Sequence, residues 1–201
     1  VFHTYTHNPQ VDFLPPGTSF GSGIGTPFLR GQTWWKHMPQ FTSYLARTGY
    51  MLERGKPVRH VLWYLGDEIT QRPDQFAAFP EGYQYDYCNP DVLLNRLSVK
   101  DGKLVTPEGI SYDMLWIPEN QRMLPETLVK LRQLIEDGAA VAAARPSSPA
   151  TLSAAPKDTE KRFRELVKSI WGKQYGNGII NIGKGRLVTD TDINKAIKTL
   201  G

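Results

Sequence analysis

The chain has 201 residues, enough for one well-formed core with an appendage, and 40% apolar and 22% charged residues are typical of a globular protein. No apolar run approaches the roughly 18 residues of a membrane span, and one cysteine, Cys88, excludes an internal disulfide. The net charge of +4 comes from residues 157–198, where basic and acidic residues alternate as on a solvated helix face, so we expect neither a membrane nor a nucleic-acid partner.

The first part of the chain, residues 1–56, differs from the rest. Residues 1–37 are rich in glycine, proline and aromatic side chains, and only the alternating segment FHTYTH indicates a strand. The remainder of these 37 residues predicts an aromatic loop, and a loop of this length is usually functional or supported by a partner. A helix is predicted from Pro39 to Arg54, because Pro39 suits the first turn and Gly55 with Pro57 ends the pattern.

From residue 57 onwards, strand and helix patterns alternate. The apolar segment VRHVLWYLG predicts a strand buried on both faces, and Asp101-Gly102 predicts a two-residue hairpin turn. Gly82 to Cys88 is interpreted as an aromatic loop before a short helix that Asn89 or Asp91 would cap. Further elements are predicted as strands at 111–118, 139–144, 179–183 and 185–190, helices at 125–138, 158–171 and 191–200, and a loop at 146–156.

This alternation predicts an α/β fold with a small, doubly wound, mainly parallel sheet and helices on both faces. Such a domain resembles flavodoxin and the class I glutamine amidotransferases. We therefore divide the chain into residues 1–56, an aromatic loop and helix extension, and residues 57–201, an amidotransferase-like α/β domain.

Ligands of open α/β sheets bind beyond the carboxyl ends of the strands, where Asp67 and Glu68 follow a predicted strand. These two acids are a possible strand-end site, although acids in that position are also common capping or loop residues. Cys88 lacks the glycine-flanked turn of an amidotransferase nucleophile and is interpreted as a packed thiol.

A second candidate site is a sugar site formed by His3, His7, Asn8, Trp34 and Trp35. Aromatic rings suit the apolar faces of a pyranose, and imidazole or amide groups suit its hydroxyls. The alternative is that the tryptophans belong to a core and the histidines are structural. Two histidines without further ligands do not predict a metal site.

Three segments carry a family resemblance: GTPFLRGQTWW, GYQYDYCNPDVLLNRLSVKDGKL and the helix end Glu136-Asp137-Gly138. With them the chain resembles the bacterial α-L-rhamnosidases of glycoside hydrolase family 106, which are far longer. The resemblance implies that residues 1–56 are the end of a catalytic (β/α)8-like barrel and residues 57–201 the amidotransferase-like domain after it. It also implies a rhamnose-containing glycan as substrate, an upstream barrel as partner, and calcium as a possible cofactor of the full-length parent.

No catalytic residue is assigned to this chain. Glycoside hydrolysis by the usual route requires two carboxylates, and the first 52 residues contain a single acid, Asp12. The resemblance therefore predicts that the catalytic acids lie upstream and that the isolated chain is inactive. A parent that degrades polysaccharides would be periplasmic or secreted.

An alternative from another class stays open, namely a non-catalytic α/β module for interaction or oligomerisation.

Overall fold

A computed structural model describes residues 33–68, 79–118, 122–151, 156–172 and 178–200. The chain divides into two compact units, Val1–Gly55 and Lys56–Gly201. In the first unit, a 3-10 turn at Trp35–His37 leads into helix α1, Met38–Leu52, which has Pro39 in its first turn. The N-terminal helix predicted from Pro39 to Arg54 is thus confirmed to within two residues at each end. Within the described ranges, no helix is long and apolar enough to span a bilayer.

The second unit alternates strands and helices. In chain order, its described elements are β1 Val61–Tyr64, β2 Tyr85–Cys88, a π-helical turn Val92–Arg96, β3 Ser98–Lys100, β4 Lys103–Val105, β5 Ser111–Tyr112, β6 Met114–Ile117, β7 Arg122–Met123, α2 Pro125–Asp137, β8 Ala140–Ala143, β9 Ser148–Pro149, α3 Lys157–Trp171, β10 Ile179–Ile182, β11 Gly185–Val188 and α4 Ile193–Leu200. Strands β3, β4 and β5 form a small antiparallel sheet, and β7 pairs with β9.

The main sheet has six strands in the order β10–β11–β8–β6–β1–β2. All neighbours are parallel except β10 and β11, which pair antiparallel. Without that edge strand, the sheet has the flavodoxin-like order 2-1-3-4-5. The predicted α/β class and mainly parallel sheet are therefore confirmed.

The sheet is buried on both faces because successive side chains of a strand point to opposite sides. On the first face, Leu62, Leu115 and Val141 pack with the apolar stripes of α2 and α3. On the second face, Trp63 and Trp116 belong to a cluster that includes the buried side of α4. This explains the near-continuous apolar sequences of the central strands.

Two loop predictions were wrong. The sequence predicts a loop from Gly82 to Cys88, but Tyr85–Cys88 forms the edge strand β2, in which Tyr87 is paired with Trp63 of β1. The predicted loop at 146–156 contains β9, whose pairing with β7 depends on contacts distant in sequence. The hairpin prediction is confirmed, since Asp101 and Gly102 have φ values of 51° and 76°.

Candidate functional site

The strand order reverses between β1 and β6, and the crevice beyond their carboxyl ends is where a ligand would bind in this class of sheet. Asp67 and Glu68 follow β1 directly, so the sequence prediction places them at this crevice. Both side chains are half-buried. The hydrogen bonds and ion pairs of these two side chains determine whether either is available to a ligand.

Asp67 makes three hydrogen bonds within the chain. Its Oδ2 accepts the backbone N–H of Leu124 at 2.8 Å, and its Oδ1 accepts the hydroxyls of Thr127 at 2.8 Å and Tyr64 at 2.5 Å. Leu124 is the N-cap residue of α2. A carboxylate here satisfies a free N–H group and interacts favourably with the helix dipole.

The same contacts affect the ionisation of Tyr64. Burial, followed by the charge of Asp67 and the hydrogen bond to it, raises the pKa of Tyr64 well above its usual range. The phenol therefore stays neutral and donates a hydrogen bond to the Asp67 carboxylate. Asp67 occupies the helix N-terminus at which an anionic ligand would otherwise be stabilised.

Glu68 pairs with Arg122, with 2.7 Å between Oε1 and Nη1. Arg122 also donates from Nη2 to the carbonyl of Thr151 at 2.5 Å. The two side chains are 36% and 40% exposed, so the ion pair alone contributes little to stability. The guanidinium nevertheless links the end of β1 to the segment after β9. A ligand-binding role for Asp67 and Glu68 stays a prediction.

The tryptophans of the predicted sugar site lie in the first unit. Trp34 is half-buried and its carbonyl accepts the N–H of His37, while Trp35 is 37% exposed. The other three predicted members, His3, His7 and Asn8, lie outside the described residues. The combined sugar site therefore stays a prediction.

Cys88 is 2% exposed in β2, and burial raises the pKa of its thiol to about 12. A neutral, enclosed thiol is a poor nucleophile, which agrees with the packed-thiol interpretation. In the described part of the chain, no three His, Cys, Asp or Glu side chains come together as a metal site.

Sequence reasoning missed an aromatic cluster on the second face of the sheet. Trp63 lies 4.5 Å from Trp116 and 5.1 Å from Tyr87 between ring centroids, and Tyr85 lies 4.2 Å from Phe79. Trp116 also donates from Nε1 to the carbonyl of Thr191 at 2.9 Å. The alternation YQYDYC was the available signal, because it places Tyr85 and Tyr87 on one face of a strand.

These features define a flavodoxin-like α/β unit in which the two acids that follow β1 are bonded to other residues of the same unit. The whole chain, residues 1–201, matches the profile of glycoside hydrolase family 106, described as alpha-L-rhamnosidase. The chain therefore belongs to this family.

Two longer proteins are similar to this chain. A protein of Formosa agariphila described as "Putative beta-glucuronidase" is 38% identical over 178 residues, which cover 86% of this chain and 14% of that protein. The structure of a rhamnosidase from Novosphingobium sp. PP1Y aligns with a TM-score of 0.69 and 24% identity, over 87% of this chain and 17% of that one. The structural likeness shows the fold, and the chain spans less than a fifth of either protein.

Proposed function

We propose that this chain is part of a glycoside hydrolase that removes terminal α-L-rhamnose from plant-type polysaccharides or glycosides. Its membership of family 106 over residues 1–201 is the observation that carries the proposal. In this proposal, residues 1–56 end a catalytic barrel that lies upstream, and residues 57–201 form the domain that follows it.

The proposed role of this piece is to provide scaffold and part of the sugar site. Two observations support a scaffold role for the α/β unit. Asp67 is engaged by three donors of the same chain, and Glu68 pairs with Arg122. These contacts engage both carboxylates within the chain, which supports a structural role for them rather than that of the acid or base of hydrolysis. The catalytic pair, and any calcium ion, would belong to the remainder of the parent.

Helix α1 supports the presence of a further partner surface. It contains no buried residue, and Phe41, Tyr44 and Leu45 are 44%, 58% and 38% exposed. A cluster of exposed large apolar side chains commonly marks an interface. The proposed partner is the upstream barrel.

The test compares the 201-residue chain with the full-length parent, obtained by reading the coding sequence upstream of Val1. Each is assayed with p-nitrophenyl α-L-rhamnopyranoside and with p-nitrophenyl β-D-glucuronide, because one similar protein is described as a glucuronidase. We expect turnover of the rhamnoside by the parent alone. Turnover by the isolated chain would contradict the scaffold role, and a parent specific for the glucuronide would contradict the substrate.

The exposed apolar residues of α1 also favour the second candidate, a non-catalytic module for interaction or oligomerisation. Sedimentation of the 201-residue chain separates the two. A stable dimer that is dissociated by Tyr44→Glu, with no rhamnosidase activity in the parent, would favour the module.

A further inference from the structure

A cavity of about 580 Å³ lies in the second unit at the amino ends of the strands, whereas Asp67 follows the carboxyl end of β1. Four neighbouring parallel strands supply its floor through their first residues, Val61, Met114, Ala140 and Gly185. The volume is within the range of small-molecule sites. The floor is apolar, apart from the strand backbone.

An aromatic wall stands at one side of this cavity. The Tyr83 ring is 40% exposed and packs edge-on against His60, with 5.3 Å between ring centroids. The Nδ1 atom of His60 accepts the backbone N–H of Gln84 at 3.1 Å, which fixes the imidazole. Tyr83 is therefore held by a neighbour that is itself anchored. A ring in this position can contact the apolar face of a pyranose.

The rim of the cavity balances its charges. Lys103 forms an ion pair with Asp113 at 2.7 Å, and Arg186 donates to the carbonyl of Leu200 at the end of α4. Lys184 and Asp101 are both exposed and carry opposite charges. The C-terminal ends of α2 and α4 also border the cavity and are partially negative. The basic side chains of the lining therefore exceed its two acids by one charge, which the two partially negative helix ends offset.

A lining with both donors and acceptors, and with basic groups offset by acids and helix ends, suits an uncharged ligand rich in hydroxyl groups. The apolar floor and the Tyr83 ring suit its CH groups, and a deoxy sugar such as rhamnose adds a methyl group. We propose that this cavity is a non-catalytic binding site for an uncharged pyranoside, separate from the hydrolytic centre. The choice of rhamnose rests on the proposed function, while the choice of a neutral sugar rests on the cavity.

The experiment is a titration of the ¹⁵N-labelled 201-residue chain, followed by its amide NMR signals. The probes are methyl α-L-rhamnopyranoside and, as a charged counterpart, methyl β-D-glucuronide. We expect saturable shifts with the rhamnoside at the amides of Gly102, Gly138 and Lys184, which line the cavity. The glucuronide should bind more weakly. Absence of saturable binding, or equal binding of both sugars, would overturn the proposal.

Substitutions of lining residues distinguish binding in this cavity from non-specific binding. Loss of the ring in Tyr83→Ala should weaken binding about fivefold, whereas Tyr83→Phe should retain most of it. Lys184→Ala should weaken binding by a smaller factor, since it removes one donor. The matched controls are Lys157→Ala and Lys161→Ala, both exposed and outside the cavity lining. Equal effects of the controls would also overturn the proposal.

These outcomes are independent of the proposed hydrolysis. A parent that hydrolyses no rhamnoside would leave a measured binding site in place. A chain that binds no pyranoside would leave the glycosidase assignment in place.

Discussion

The carboxylate of Asp67 accepts the backbone N–H of Leu124 at 2.8 Å, although the two residues are 57 positions apart in the chain. The end of β1 thereby caps α2, a helix that has no side-chain cap from its own N-cap residue. In flavodoxin-like sheets, the same crevice is where a ligand binds. In this chain, the hydrogen bond between Asp67 and Leu124 instead joins the end of β1 to the start of α2. Such a contact fits a supporting unit better than a catalytic one.

Replacing Asp67 with alanine should destabilise the second unit by about 3 kcal/mol. The change removes the acceptor of the Leu124 N–H group and of two hydroxyls, those of Tyr64 and Thr127, both of which are fully buried. Urea unfolding monitored by tryptophan fluorescence measures the loss.

Glu126→Ala is the control for this prediction. Glu126 also places a negative charge in the first turn of α2, but its side chain is exposed. We expect a change within about 1 kcal/mol, as for the interaction of an exposed charge with a helix dipole. If both variants lost the same free energy, the three hydrogen bonds of Asp67 would not be its main contribution.

Arg122→Met should loosen the segment after β9 while changing global stability by less than about 1 kcal/mol. The guanidinium holds the Thr151 carbonyl, and the neighbouring Ala150 N–H donates to Met123 at 3.1 Å. Hydrogen exchange of the Ala150 amide should therefore become faster. Arg132→Met is the control, because it breaks only an exposed pair with Glu136 within α2. Unchanged exchange at Ala150 would contradict the prediction.

Much of the fold could be predicted from local patterns. The segment VRHVLWYLG contains a strand buried on both faces, and the leucine stripe ending at Gly138 is α2. Asp101-Gly102 adopts the positive φ values that its residue types favour. In each case, the element is determined by apolar periodicity or by a backbone preference within a few neighbouring residues.

The missed features depend on partners far away in the sequence. β2 is an edge strand whose tyrosines gain their environment from Trp63 and Phe79, and β9 exists only through its pairing with β7. The cavity at the amino ends of the strands needs four strand starts in register. Asp67 was placed correctly at a strand end, but its use as a cap for α2 could not be predicted without the packing of that helix.

Gly185→Ala should destabilise the second unit by about 3 kcal/mol or more. A Cβ atom there would lie 2.3 Å from the carbonyl oxygen of Ile135 and 2.4 Å from that of Ala139, both of them backbone atoms that cannot rotate away. Thermal unfolding followed by circular dichroism measures the effect. Gly82→Ala is the control: Gly82 has φ of 86° but open space around it, so only about 1 kcal/mol of backbone strain is expected. Equal losses would show that close packing at Gly185 is not decisive.

Cys88 should resist thiol reagents in the folded protein. Its side chain is 2% exposed, and the raised pKa keeps it protonated at neutral pH. With Ellman's reagent at pH 8, we expect reaction only at the rate of unfolding, and rapid reaction in urea. Immediate labelling of the native chain would contradict the packed-thiol interpretation.

The same burial makes stability depend on pH above neutrality. The pKa of Cys88 rises from an ordinary 9.0 to about 12 on folding, because burial disfavours the thiolate. Below pH 9, the thiol is protonated in both states and its contribution is fully present. As pH rises from 9 towards 12, the unfolded thiol ionises first, so stability is lost at up to about 1.4 kcal/mol per pH unit.

Comparing urea unfolding of the wild type and Cys88→Ala at pH 8, 9 and 10 isolates this loss, since the buried tyrosines are common to both. The wild type should lose stability more steeply, and parallel pH profiles would contradict the prediction.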